Sequence, residues 1–192
     1  MFNDCTTPLS LLETRRSGRP RDLVAPGPSP DELRRILAAA MRTPDHGKLH
    51  PWRFVHIAQE RRGAFAELLD RAYRAANPAP GRLELEANER FARQAPELVV
   101  ALSTPTIPHK IPLWEQQLSC GAACMNLLHA SHALGYAASW VTGWAAYAPL
   151  VRESFGAAGE HDRIAGFFFI GTPGAEQEER MRPAFDEVVR QW

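Results

Sequence analysis

The sequence predicts an α+β or α/β sandwich around a mixed sheet of four or five strands flanked by helices. Three observations carry this. Helical segments come first, and strands then alternate with helices. Four short runs, Trp52–Ala58, Glu97–Ser103, Ala137–Thr142 and Arg163–Gly171, are apolar or alternating and are bounded by turn residues. One segment, Pro112 to Leu134, is long, helical in pattern and almost free of charge. At 192 residues and 45% hydrophobic content the chain suits one domain with a sizeable core, spanning 1–192 with 172–192 as a C-terminal tail.

Thr7-Pro8 reads as an N-cap with proline at the first helical position, and a short helix follows to Arg15-Arg16. Ser17-Gly18-Arg19-Pro20 stops it, and the Pro/Gly-rich stretch to Ser29 reads as loop. Ser29-Pro30-Asp31-Glu32 starts a second helix, with acids where the helix dipole favours them. Leu33, Ile36, Leu37, Ala40 and Met41 follow at helical spacing until Pro44. After the strand from Trp52, Glu60–Ala76 and Arg82–Gln94 are helical and well charged, which predicts surface helices. The Glu97–Ser103 run is a buried strand.

The segment Pro112–Leu134 carries one acid, Glu115, and no Lys or Arg after it. Such a helix is expected to be buried nearly all round, and a chain this short can hardly cover it alone. Ser119, Gly121, Ala122 and Ala123 give it small residues that would let a second helix approach. A short helix near Pro149–Phe155 separates the last two strands, Arg163–Gly171 being the central one. A weakly amphipathic piece, Ala184–Trp192, closes the chain.

Lys plus Arg and Asp plus Glu both number 22. This balance argues against nucleic-acid and anionic-membrane partners, which need a basic face. No stretch has the length of a membrane span or the pattern of a secretory signal. Three cysteines, Cys5, Cys120 and Cys124, cannot all pair within the chain, and a reduced cytoplasmic setting is expected. Signatures of Rossmann dinucleotide domains, P-loop NTPases, zinc metalloproteases and serine hydrolases are absent from the sequence.

Cys120 and Cys124 share a helical face with His129 and His132 beyond. A metal-dependent hydrolase is one reading, but the partners zinc would need are missing, and buried cysteines pack as small hydrophobes. No metal is expected. Arg15-Arg16-Ser17 suits either cationic capping of the first helix or a phosphate, which wants guanidinium forks, a hydroxyl and free amides. Trp140-Val141-Thr142-Gly143 ends a strand, as a core aromatic before a turn or as a backbone edge offered to a flat ligand. TPDHGKLHPWRF, residues 43–54, is too rich in His, Lys and Asp for a plain turn.

Taken in order, RRS after the first helix, PDHGKLHPWRF after the second, PLWEQQLSCGAACMNLLHASHALGY, SWVTG and GFFFIGTP resemble the FMN-dependent nitroreductases. The likeness runs from about Thr7 to Arg182 and is greatest to the small bacterial NAD(P)H nitroreductase subgroup. It implies a three-layer sandwich and a homodimer with the long central helix at its interface and two FMN sites there. By matching position, Arg15, Arg16 and Ser17 would hold the FMN phosphate and nearby ribityl oxygens. Arg19 would lie near the flavin N1/O2 edge. Arg42 and His46 would contact the flavin, His46 from the other subunit. Trp140, Val141 and Thr142 would line the cofactor, and Arg182 would return to the phosphate. Ala130, Ser131, His132, Ala133, Leu134 and Gly135 match the segment assigned to the nicotinamide nucleotide, NADPH or NADH.

The activity implied is two-electron reduction of nitro compounds, quinones or similar acceptors by ping-pong exchange. It calls for no side-chain catalyst, and none is assigned. The same residues would also serve a flavin-binding or redox-sensing module without turnover. Two departures stand out. Lys48 and His50 occupy positions where the wider family has Asn and Gln, and Val141-Thr142 replaces an Arg-Ser pair of the subgroup.

Overall fold

The computed structural model describes residues 2–192. Helix α1 (Pro8–Thr14) is opened by a capping box in which Thr7 and Ser10 satisfy each other's backbone N–H groups. A two-residue strand β1 (Leu23–Val24) interrupts what reads in the sequence as pure loop. Helix α2 (Pro30–Ala40) has the same device, Ser29 with Glu32. It ends at Ala40 with Met41 as its cap, before Pro44 is reached. Strand β2 (Trp52–His56) follows, then helices α3 (Arg62–Ala76) and α4 (Arg82–Arg93), strand β3 (Glu97–Ser103) and the 21-residue helix α5 (Leu113–Ala133). Strand β4 (Ala137–Val141), short helices α6 (Trp144–Tyr147) and α7 (Pro149–Ser154), strand β5 (Arg163–Pro173) and a short helix α8 (Phe185–Val188) complete the order.

Strand β5 is central. It pairs with β3 along most of its length, with β4 through Phe167–Gly171 and with β1 at Thr172 and Pro173; β2 pairs with β3. Every pairing is antiparallel, which narrows the mixed sheet expected from the sequence.

The period-two alternation of the strands divides the core into two layers. Leu98, Val100 and Leu102 of β3 and Phe167 and Phe169 of β5 face Phe65, Leu69, Ala92, Ala145 and Val151, contributed by α3, α4, α6 and α7. Val99, Ala101, Phe168 and Ile170 face Ile36 and Ala40 of α2 and Cys120, Ala123, Cys124 and Leu127 of α5. The result is helices, sheet, helices. Helix α3 departs from the expected surface helix. Despite its charge it buries Arg62, Phe65, Ala66, Leu68, Leu69 and Ala72 along one face.

Helix α5 is buried on one face only within a single chain. Ser119, Cys120, Ala123 and Cys124 point inward, while Trp114 (66% exposed), Leu118 (54%) and Ala122 are exposed. The run of small residues is therefore split. Ser119 and Ala123 serve the chain's own core, and Gly121 and Ala122 sit toward the outside. Among the described residues no helix is long and apolar enough to cross a membrane.

Candidate functional site

The segment Arg15–Gly18 leaves α1 and passes the start of β4. A Cβ on Gly18 would lie 3.5 Å from that of Ala137. From there β4 runs to Val141, roughly 13 Å away at about 3.3 Å per residue. The Arg-Arg-Ser segment and the Trp-Val-Thr segment thus lie at opposite ends of one edge strand.

Arg15 is the C-cap residue of α1, but neither guanidinium bonds the helix's last turn. The Arg15 guanidinium donates to Ser17 Oγ at 3.1 Å, and Arg16 Nε donates to the Glu178 carbonyl at 2.5 Å. Arg15 is half-buried. Burial, followed by repulsion from Arg182 and then Arg16, holds its guanidinium below its ordinary range. No carboxylate pairs with Arg15 among the described residues, so this desolvated charge faces other cations. Its donors, guanidinium forks beside a hydroxyl, are of the kind that suit a phosphate. Arg182 approaches Glu179 at 3.8 Å from an exposed position. Arg19 forms an exposed ion pair with the Glu178 carboxylate at 2.8 Å.

At the far end of β4, Trp140 lies flat against the sheet. Its indole N–H donates to the Ala165 carbonyl at 2.8 Å, and its ring sits 5.3 Å from that of Phe168 across the strand pair. This needs glycine at 166, where a Cβ would fall 2.1 Å from Trp140 Nε1. The indole is therefore held by the sheet. Val141 can offer a ligand only backbone, on the edge of β4 that pairs with no other strand among the described residues, whereas Thr142 is exposed and adds a hydroxyl.

The loop between α2 and β2 is bolted to α5. Ser119 Oγ donates to the Pro44 carbonyl at 2.6 Å, Asn126 donates to Thr43 Oγ1 and the Arg42 carbonyl, and His46 Nδ1 lies 2.7 Å from Glu115 Oε2. Asp45 spends its carboxylate on the backbone N–H groups of Leu49 and His50. These contacts hold three positive-φ residues in a run of four, Gly47 (78°), Lys48 (55°) and His50 (49°). Gly47 also packs on Ile111, whose Cδ1 would lie 2.3 Å from an added Cβ. At Lys48 and His50, which lack glycine's freedom, such strain persists only where its surroundings over-determine it, and it gathers at binding sites. The sequence signalled the loop's composition but not Asp45 as its organiser.

Arg42 lines a separate apolar cavity of about 530 Å³ between α1 and α5, together with Leu11, Leu12, His129, Ala130 and Ala133. The Ala130–Gly135 segment is only partly accessible. Ser131 and His132 are fully buried, while Ala133 and Gly135 are exposed. Cys120 and Cys124 are buried in the core, and among the described residues no group of three or more metal-binding side chains assembles.

His132 carries a measurable consequence. Its Nδ1 lies 3.1 Å from the Tyr136 carbonyl, so Nδ1 holds the proton, and buried Nε2 has no partner among the described residues. Burial pushes this imidazole from 6.5 down to about 4; the Tyr136 carbonyl opposes the shift, and Arg15 and His129 add to it. A depressed pKa means that the unfolded chain takes up a proton the folded chain refuses. Stability is intact above pH ~6.5 and is lost as pH falls toward 4, by up to about 3 kcal/mol. Urea unfolding at pH 7 and pH 5 should differ by about 2 kcal/mol on this account. His132→Asn keeps a donor for Tyr136 but cannot titrate, so its loss should be smaller by that amount. Equal losses in both proteins would assign the pH dependence to other groups.

The sequence profile of the nitroreductase family matches residues 12–172. The chain belongs to the nitroreductase family. Two curated relatives bear the name "Putative NAD(P)H nitroreductase". That of Haemophilus influenzae is 41% identical over 174 residues, covering 90% of this chain and 91% of its own. YdjA of Escherichia coli (strain K12) is 37% identical over 165 residues, covering 86% and 87%. Among solved structures, a Desulfovibrio desulfuricans protein in complex with FMN superposes with a TM-score of 0.72 at 20% identity, covering 96% of this chain and 97% of its own. The nitroreductase fold read from the ordered motifs is therefore the fold of this chain, and the chain is an oxidoreductase of that family.

Proposed function

We propose that this nitroreductase uses FMN to carry electrons from NADPH or NADH to nitro compounds, quinones or similar acceptors. The observation that carries the reading is Arg15, half-buried, bonded to Ser17, facing Arg182 and lacking a carboxylate. Relatives named for NAD(P)H and a neighbour solved with FMN support it.

The chemistry FMN supplies when bound is two-electron, hydride-based exchange between a nicotinamide donor and an acceptor that take turns in one pocket. The chain's own residues bind and orient. Arg15, Ser17 and Arg182 would clamp the phosphate, and Arg16, already held to Glu178, would support the segment. The backbone of Trp140, Val141 and Thr142 would meet the ring, with the indole of Trp140 keeping that strand end rigid. Arg19 would supply positive charge near the ring's N1 edge once released from Glu178, stabilising negative charge there. Arg42 would contact the flavin, and His46 would do so across the subunit boundary.

A second copy of the chain belongs to this reading. The outer face of α5 exposes Trp114 and Leu118, α1 exposes Leu9 and Leu12, and the tail exposes Met181, Phe185 and Val188. This apolar exposure supports an interface with a second copy. In the dimer His46 would reach the partner's flavin.

The purified protein is expected to be yellow, or to take up one FMN per chain on reconstitution, and then to oxidise NADPH in the presence of a nitroaromatic or quinone. A colourless protein that ignores added FMN overturns the proposal. Flavin uptake without turnover would leave a binding module instead.

A further inference from the structure

Arginine so dominates the basic residues that the chain has only two lysines, Lys48 and Lys110. Both lie in loops that touch, since Gly47 packs on Ile111. The same two loops carry His46, His50 and His109, three of the seven histidines. All five side chains belong to exposed residues.

The acids in reach are engaged. Asp45 is bound to backbone N–H groups, and Glu115 is bound by His46. Among the described residues neither lysine has an ion-pair partner. His109 accepts from the Ile111 N–H through Nδ1, which leaves its Nε2–H as a donor. The patch is also fixed in place. Its first loop is fastened to α5 by Ser119, Asn126 and Glu115, and Gln116 of α5 bonds the backbone of Thr106 and Ile111 in the second.

Resting on the flavin reading, we infer that this basic lip receives the phosphate groups of the nicotinamide dinucleotide donor. A dinucleotide has one redox-active end and carries two or three phosphates away from it. Compact ammonium charges and imidazole donors spread across two loops suit such a multiply charged ester. By contrast, Ser131 and His132 of the Ala130–Gly135 segment are sealed in the core and cannot contact it.

The test is the double variant Lys48→Gln/Lys110→Gln, loaded with FMN, with NADP⁺ and NAD⁺ affinities measured by calorimetry. NADP⁺ binding is expected to weaken by about threefold or more, the combined effect of two exposed ion pairs. Loss of the wild-type salt dependence should accompany it. A greater loss for NADP⁺ than for NAD⁺ places the 2′-phosphate at the lip, and equal losses place the pyrophosphate there. Lys48→Arg/Lys110→Arg, which keeps both charges, should retain most of the affinity. A double glutamine variant that takes up FMN but binds both dinucleotides like wild type overturns this inference and leaves the flavin reading intact. A wild-type chain that takes up no FMN overturns both.

Discussion

Replacing Arg62 with alanine is expected to destabilise the fold by about 3–5 kcal/mol, enough to unfold a marginal domain. Arg62 opens α3 and is 1% exposed. Its Nε donates to the Ile57 carbonyl at 2.8 Å, Nη1 to Ala92 at 2.9 Å and Gln94 at 3.3 Å, and Nη2 to Pro96 at 3.2 Å. These carbonyls come from the end of β2, the C-terminus of α4 and the approach to β3. One side chain therefore ties three segments together and satisfies the last turn of a helix, where a cation also suits the dipole.

Burial pushes the guanidinium down to about 10, with Glu97 opposing, so it stays charged at neutral pH. The turn it braces holds Ala95 at φ 60°, a cost sustained only by such contacts. Alanine would leave a cavity and take the donor from the Ile57, Ala92 and Gln94 carbonyls, while the Pro96 carbonyl would keep its bond from the Gln59 side chain. Lysine would not substitute, because a single ammonium cannot span the carbonyls that a planar fork reaches. Urea denaturation of Arg62→Ala and Arg62→Lys gives the answer. A loss below about 1 kcal/mol for the alanine variant would show that water replaces the arginine at little cost.

Arg62 also shows where sequence reading ends. An arginine at the head of a charged helix looks solvated, and no pattern of charge marks the carbonyls that await it. The same helix, expected at the surface for its charge, carries Phe65, Ala66, Leu69 and Ala72 at helical spacing, a stripe that its charged residues mask. The strands and α5 were legible, because their burial is written in period and in missing charge. Strand β1 was not, because two residues have no period. For α5, composition showed that little of the helix wants water. It could not show that Ser119 turns inward to Pro44 while Ala122 turns outward, since the two differ only in phase. At the candidate site, RRS, PDH and WVTG announced themselves by order. The bond from Asp45 to two backbone amides and the pairing of Arg19 with Glu178 join residues whose proximity depends on the folded chain.

Arg15→Ala is expected to weaken FMN binding by more than tenfold while leaving riboflavin binding nearly unchanged. A charge-assisted hydrogen bond to phosphate contributes about 1.5–3 kcal/mol, and a factor of ten corresponds to about 1.4. Arg15 should lie toward the upper end, because its desolvation has already been incurred in folding and its neighbours Arg182 and Arg16 repel it until an anion arrives. Removing Arg15 in the flavin-free protein should therefore cost the fold little, and relief of the repulsion offsets part of the lost hydrogen bond to Ser17. Arg182→Ala should act in the same direction but less strongly, since that side chain is more than half exposed and weakly paired with Glu179. The double variant should lose less than the sum of the two, because each arginine's affinity for phosphate is partly relief from the other. Riboflavin is the control that gives the experiment its meaning. It presents the same ring to β4 and no phosphate to Arg15. Parallel losses for FMN and riboflavin would make Arg15 a structural residue of the α1 terminus, and the phosphate would then have to be sought elsewhere on the chain.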